Sequence, residues 1–160
     1  MRKEILGVIE HNGRIDLKEL AILMGTDEIT VANEIADMEK EHIICGYHTM
    51  INWDNTTNDK VSAMIEVNVT PQRGVGFDKI ADRIKNFEEV NAVYLISGGF
   101  DFMVLVEEKS MRAVSQFVSE KLSTIEEVSG TATHFVLKSY KVHGTILEEE
   151  KTDERMLVTP

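Results

Sequence analysis

The residues best placed to do chemistry are Ser97-Gly98-Gly99-Phe100-Asp101. Two adjacent glycines leave backbone N–H groups unshielded, able to receive a carboxylate, and Asp101 can pair with an ammonium group. A plainer reading is that Gly98 and Gly99 only supply positive φ angles where two strands turn. Elsewhere the chemistry is thin. The five histidines are scattered, and Cys45 and His48 have metal-ligand spacing but no second pair, so no metal site is expected. There is no Gly-rich phosphate loop, Gly-x-Ser-x-Gly elbow or His-Glu-x-x-His pattern, so neither catalysis nor a cofactor is expected.

The elements that must position this segment can be read from periodicity. Residues 61–69, 91–97, 101–107 and 131–140 read as strands, and 76–86 and 110–121 as helices. A shift of 38 residues lays Met64-Ile65-Glu66-Val67 on Phe102-Met103-Val104-Leu105, Ile84 on Leu122 and Glu88-Glu89-Val90 on Glu126-Glu127-Val128. Each half is therefore strand, helix, strand. Two such halves predict a ferredoxin-like βαββαβ domain, an antiparallel sheet with both helices on one face. The other face needs a cover, and a second subunit is the economical one.

Before that domain, Ile5, Leu6 and Ile9, then Leu17, Leu20, Ala21 and Met24, then Val31, Ile35 and Met38 predict three short amphipathic helices. Asp16 and Asp27 stand at N-cap positions and Gly25 where the second helix must stop. A helix, tight turn and helix can set the last helix into a DNA major groove. Ile43 to Ile51 reads as a strand pair or wing. The fold class is thus α+β, an N-terminal (winged) helix-turn-helix over 1–51, a polar linker over 52–60, a ferredoxin-like βαββαβ domain over 61–140 that a second subunit would cover, and an acidic tail over 141–160.

Composition limits the partners. The chain of 160 residues is 42% hydrophobic, with a formal charge of −11, which opposes broad attraction to nucleic acid or anionic lipid. The lone cysteine and the lack of a long apolar run at the start or elsewhere fit a cytoplasmic protein with no membrane role.

Several motifs together resemble the Lrp/AsnC, or feast/famine, regulators over about residues 1–140: Asn12-Gly13-Arg14-Ile15, Glu19-Leu20-Ala21, the Gly25 turn, Met38-Glu39 followed by Ile43-Ile44-Cys45-Gly46-Tyr47, and above all Ile96-Ser97-Gly98-Gly99-Phe100-Asp101-Phe102. The resemblance implies that 61–140 is the sensing and oligomerisation domain, with dimers that associate further, often to octamers, and a small amino-acid effector bound between sensing domains. It also implies that Leu95, Met111, Thr133 and His134 line the effector pocket with Ser97, Gly98, Gly99, Phe100 and Asp101.

The third helix departs from that family. Asp27 to Glu41 holds six acids and one base, and residues 1–58 hold eleven acids against five bases. His42 replaces a turn glycine common in relatives. Thr30, Asn33 and Lys40, with Arg14, Lys18 and Tyr47 at the margins, remain to contact DNA, with Asn33 suited to an adenine edge. Weak, salt-sensitive DNA binding is expected. The alternatives are an interaction subunit whose acidic helix meets a protein, and an enzyme like the siroheme decarboxylases, which share this build. Their anionic tetrapyrrole calls for a basic pocket, and the C-terminal half has no dense Arg/His cluster.

Overall fold

The structure is a computed structural model that describes residues 1–57, 60–70 and 76–147; the expected tail beyond 147 lies outside them. The chain divides into two compact units, Met1–Ile51 and the part from Asn52 onward.

The first unit holds α1 (Arg2–Ile9), α2 (Leu17–Met24) and α3 (Glu28–Lys40). Their apolar stripes meet in a small core of Ile5, Leu20, Ala21, Val31, Met38 and Ile44. Caps fix the helix ends. The Asp16 carboxylate accepts from the Glu19 N–H at 2.7 Å, and the Asp27 carboxylate accepts from the Thr30 N–H at 2.9 Å and the Thr30 hydroxyl at 2.7 Å.

Both α2 and α3 stop by the same device. After α2, Gly25 (φ 67°) sits in the left-handed region while the Thr26 N–H returns to the Ala21 carbonyl. After α3, His42 (φ 56°) takes that position and the Ile43 N–H returns to the Met38 carbonyl at 2.9 Å. These are Schellman stops, and only glycine enters the left-handed position without a Cβ penalty. His42→Gly is therefore expected to stabilise the first unit by about 1 kcal/mol, measured by chemical denaturation.

The expected wing is absent: among the described residues, 43–51 contains no strand. Ile43 and Ile44 both donate to the Met38 carbonyl, so this segment begins as the closing turn of α3, and no second strand lies within 43–51 to pair with it.

The second unit is built on a sheet ordered β2-β3-β1-β4, from β1 (Val61–Val69), β2 (Val90–Leu95), β3 (Phe102–Glu108) and β4 (Val128–Phe135), with antiparallel neighbours throughout. With α4 (Phe77–Lys85) and α5 (Met111–Glu120) this is the expected βαββαβ arrangement. Ile65, Val67, Phe102, Val104, Ile80, Ile84, Val114 and Phe117 form the core between sheet and helices.

The internal repeat holds, with a correction. The shift of 38 would place Ile65 on Met103, yet Ile65 is fully buried, with Val104 opposite it, while Met103 is only half-buried on the other face. The strands repeat one residue out of step with the segments that follow the helices, because a slip of one residue reverses the face of every side chain. After the helices the original shift is right. Arg83 pairs with Glu127 at 2.9 Å and Lys121 pairs with Glu89, so each half's helix end holds a glutamate of the other half. Glu127 is buried, with 4% exposure, and Arg83 meets it from the surface.

The start of the expected tail is ordered. Residues 141–147 contain a hairpin of β5 (Lys141–Val142) and β6 (Thr145–Ile146), turned by His143 (φ 44°) and Gly144 (φ 80°). It is tied down where Asn52 Nδ2 donates to the Leu147 carbonyl at 2.8 Å. Strand β4 correspondingly ends at Phe135, short of the expected 140.

Candidate functional site

Around α3 the charge is less hostile than the sequence suggests. Glu34, one of the six acids between Asp27 and Glu41, is half-buried and takes the Arg2 guanidinium at 2.6 Å. The same guanidinium reaches Glu41 at 2.9 Å, and these bonds, Glu41 first and Glu34 second, push the Arg2 pKa up. Glu39 accepts from the Tyr47 hydroxyl at 2.9 Å. Burial, then that bond, raises the Tyr47 pKa. Asp27 is spent on the cap. Of the six acids between Asp27 and Glu41, only Glu28 and Asp37 lack a partner among the described residues, and both are exposed.

The expected DNA contacts fare unevenly. Asn33, Lys40, Arg14 and Lys18 are exposed, and none of the three cations forms an ion pair among the described residues. The Thr30 hydroxyl is committed to Asp27 and the Tyr47 hydroxyl to Glu39, so each must break a bond before it can serve as a donor elsewhere.

The Asp27 cap also has a pH signature. The Thr30 hydroxyl first, then the Thr30 N–H, hold its carboxyl below the usual range. Its contribution is full above the unfolded carboxyl pKa of about 4 and is lost as pH falls through the lower folded value. In thermal melts between about pH 5 and pH 2, Asp27→Asn is expected to keep the cap while losing less stability on acidification than the parent.

In the second unit the Ser97–Asp101 segment joins β2 to β3. It is closed by the Ile96 N–H to the Asp101 carbonyl at 2.8 Å and docked by the Asp101 N–H to the Val67 carbonyl at 3.1 Å. Asp101 Oδ2 accepts from the Val69 N–H at 2.8 Å, beyond the last β1–β3 pair. This role was not legible in the sequence.

The glycines are informative by what they do not do. Neither Gly98 nor Gly99 has a positive φ, so the turn reading loses its reason for them. A Cβ on Gly98 would meet only ordinary contact with Ile96 at 3.6 Å, and on Gly99 nothing within 4 Å. Both lie exposed beside exposed Ser97.

The other expected pocket residues do not gather around this loop. Leu95 stands at its base, 59% exposed, in a groove of about 270 Å³ with Phe77, Ala81, Val93 and Phe102. Met111 begins α5, just beyond the far end of β3 from the loop. Thr133 pairs with Ile65 and so faces the helices, whereas His134 pairs with Met64 on the open face and its Nε2 lies 3.2 Å from Glu66 Oε1. One chain cannot bring Thr133, His134, Met111 and the loop to a common ligand. No group of three or more metal-ligating side chains occurs among the described residues, and no helix among them is long and apolar enough to cross a membrane.

Comparison with known proteins places this architecture. Residues 62–146 match the Lrp/AsnC ligand binding domain, a span that includes the β5–β6 hairpin. The HTH-type transcriptional regulator YugG of Bacillus subtilis is 45% identical over 158 residues, covering 98% of this chain and 95% of its own. In fold, the chain is similar to the leucine response regulatory protein LrpA of Mycobacterium tuberculosis, with TM-score 0.75, 22% identity and coverage of 92% and 97%. The transcriptional regulator NMB0573 of Neisseria meningitidis, solved with L-Met, gives TM-score 0.69, 22% identity and coverage of 88% and 90%. With a helix-turn-helix before a βαββαβ domain, the chain belongs to the Lrp/AsnC family of transcriptional regulators.

Proposed function

We propose that this regulator is amino-acid-responsive, and that Ser97–Asp101 receives the α-carboxylate and ammonium of a small amino acid where two or more copies meet. The carrying observation is that Gly98 and Gly99 are required neither by φ nor by packing within the chain. What glycine then provides is close approach of an outside group to backbone N–H donors. The scatter of Leu95, Met111, Thr133 and His134 supports a site completed by neighbouring chains. The neisserial relative, solved with L-Met, supports the ligand class.

The open sheet face carries Met64, Met103, Leu105, Ala92, Tyr94 and Ala132, interrupted by the Glu66–His134 pair. A second copy covers it, giving a dimer that assembles further. A regulator that acts on DNA and on free amino acids works in the cytoplasm, and that is the compartment we propose for it. Binding to DNA is weak and salt-sensitive, through Asn33, Lys40, Arg14 and Lys18, with Thr30 and Tyr47 joining after their internal bonds open.

The test is Gly99→Ala. Its fold is expected to be as stable as the parent or slightly more so, by about 0.4–1 kcal/mol from reduced unfolded-state entropy, while amino-acid binding in calorimetry falls at least about tenfold. A variant that binds as the parent does would remove the loop from the site.

A second reading has its own observation. Ile22, Leu23 and Ile29 flank the Gly25 turn with 71%, 58% and 74% exposure, an apolar surface that a phosphate backbone does not reward. An interaction subunit would use it against a protein, and would fail to bind any duplex at low salt.

A further inference from the structure

We infer that the outward stripe of α3 reads A·T base pairs by their major-groove edges, with Ile29 against a thymine methyl and Asn33 against an adenine. This rests on the DNA-binding reading above and names the bases which that reading leaves open. Ile29, Asn33, Ala36 and Lys40 are all exposed and recur at i, i+4, i+7 and i+11. At 3.6 residues per turn they fall within about 60° of arc, opposite the buried Val31 and Met38. No acid stands on that line. Asp27 is the cap, Glu34 and Glu41 hold Arg2, and Glu39 holds Tyr47, while Glu28 and Asp37 flank the stripe on opposite sides.

Each member of the stripe suits a different part of the groove. Ile29 is the second residue of α3 and 74% exposed, in the portion of such a helix that meets base edges. A phosphate does not reward an aliphatic side chain, but the C5-methyl group that marks thymine in the major groove does. One turn further on, Asn33 presents a carboxamide that bonds no described residue, the group that pairs bidentate with adenine N6 and N7. The two positions stand about 6 Å apart along the helix axis, close to two base-pair steps. Ala36 is small enough to let α3 approach the groove floor, and Lys40 ends the stripe as a phosphate contact. Helix α3 has no arginine and its one lysine is its last residue, so the side chains that read guanine are absent from the part that meets bases.

The experiment is fluorescence anisotropy on the full chain with two duplexes of its own upstream DNA, one natural and one with deoxyuridine for thymine, which removes only the methyl groups. The parent is expected to bind the natural duplex about fivefold more tightly. Ile29→Ala is expected to bind both alike, near the parent's affinity for the uracil duplex. Its circular dichroism should match the parent's, because Ile29 is no part of the small core. A duplex with 7-deazaadenine, which lacks the N7 acceptor, should likewise weaken the parent and leave Asn33→Ala unaffected. A parent that binds the natural and uracil duplexes equally would overturn the inference while leaving DNA binding in place. A ratio that Ile29→Ala preserves would overturn it too, since the methyl would then act through duplex shape. A parent that binds neither duplex would overturn this inference together with the DNA-binding reading, and Ile29 would belong to a protein-facing surface.

Discussion

Asp37→Lys is expected to raise affinity for duplex DNA about tenfold at roughly 50 mM salt and to steepen the dependence of log K on log salt by about one. Asp37 is exposed on α3, away from the buried Val31 and Met38, and with Glu28 it is one of two carboxylates there with no partner among the described residues. Reversing its sign removes a repulsion and adds one phosphate contact, together worth about 1.4 kcal/mol in this dielectric. Glu34→Gln should do much less for a different reason: it frees Arg2 from one partner and disturbs the contact between α1 and α3. Fluorescence anisotropy across a salt series separates the two.

Asp101→Ala is expected to abolish the effector response and to cost about 1–3 kcal/mol of stability, because the Val69 N–H loses its acceptor at a half-buried site. The purely binding role read from the sequence predicts no such loss. Asp101→Asn retains a side-chain oxygen for Val69 and should keep most of the stability, yet it lacks the charge to hold an ammonium group. Denaturation and calorimetry on the pair therefore separate shaping the loop from touching the ligand. Equal loss of binding in both variants, with stability kept only in Asn, is the expected pattern.

Much of the fold was legible because local rules and tertiary packing agree. Asp16, Asp27 and Gly25 mark helix ends by side-chain chemistry that acts over a few residues, and the apolar spacing of Val31, Ile35 and Met38 survives as the stripe facing the small core. Errors arose where partners are distant. Nothing near Arg2 announces Glu34, which is 32 residues away, so the acidic helix looked bare. The hairpin at 141–146 was hidden by the charged run that follows it, and its anchor, Asn52, lies in what composition marked as linker. The repeat was misaligned in its strands because Met and Leu suit either face, and only burial shows which side of the sheet they occupy.

At the site, the loop was visible as a motif, but the reason for its glycines was not. A sequence cannot distinguish a glycine needed for positive φ from one that is not, and at Gly98 and Gly99 neither φ nor packing within the chain requires glycine. Thr133 and His134 are neighbours in sequence and opposites in space, since successive strand residues face opposite sides.

The most direct test of the account is binding of the purified protein to its own upstream DNA at about 50 and 200 mM salt, with and without a pool of amino acids. The account predicts binding at the lower salt that weakens steeply at the higher one and changes with the pool. A folded, oligomeric protein that binds at neither salt, with or without the pool, would contradict it and turn attention to the exposed Ile22, Leu23 and Ile29 as a protein-binding surface.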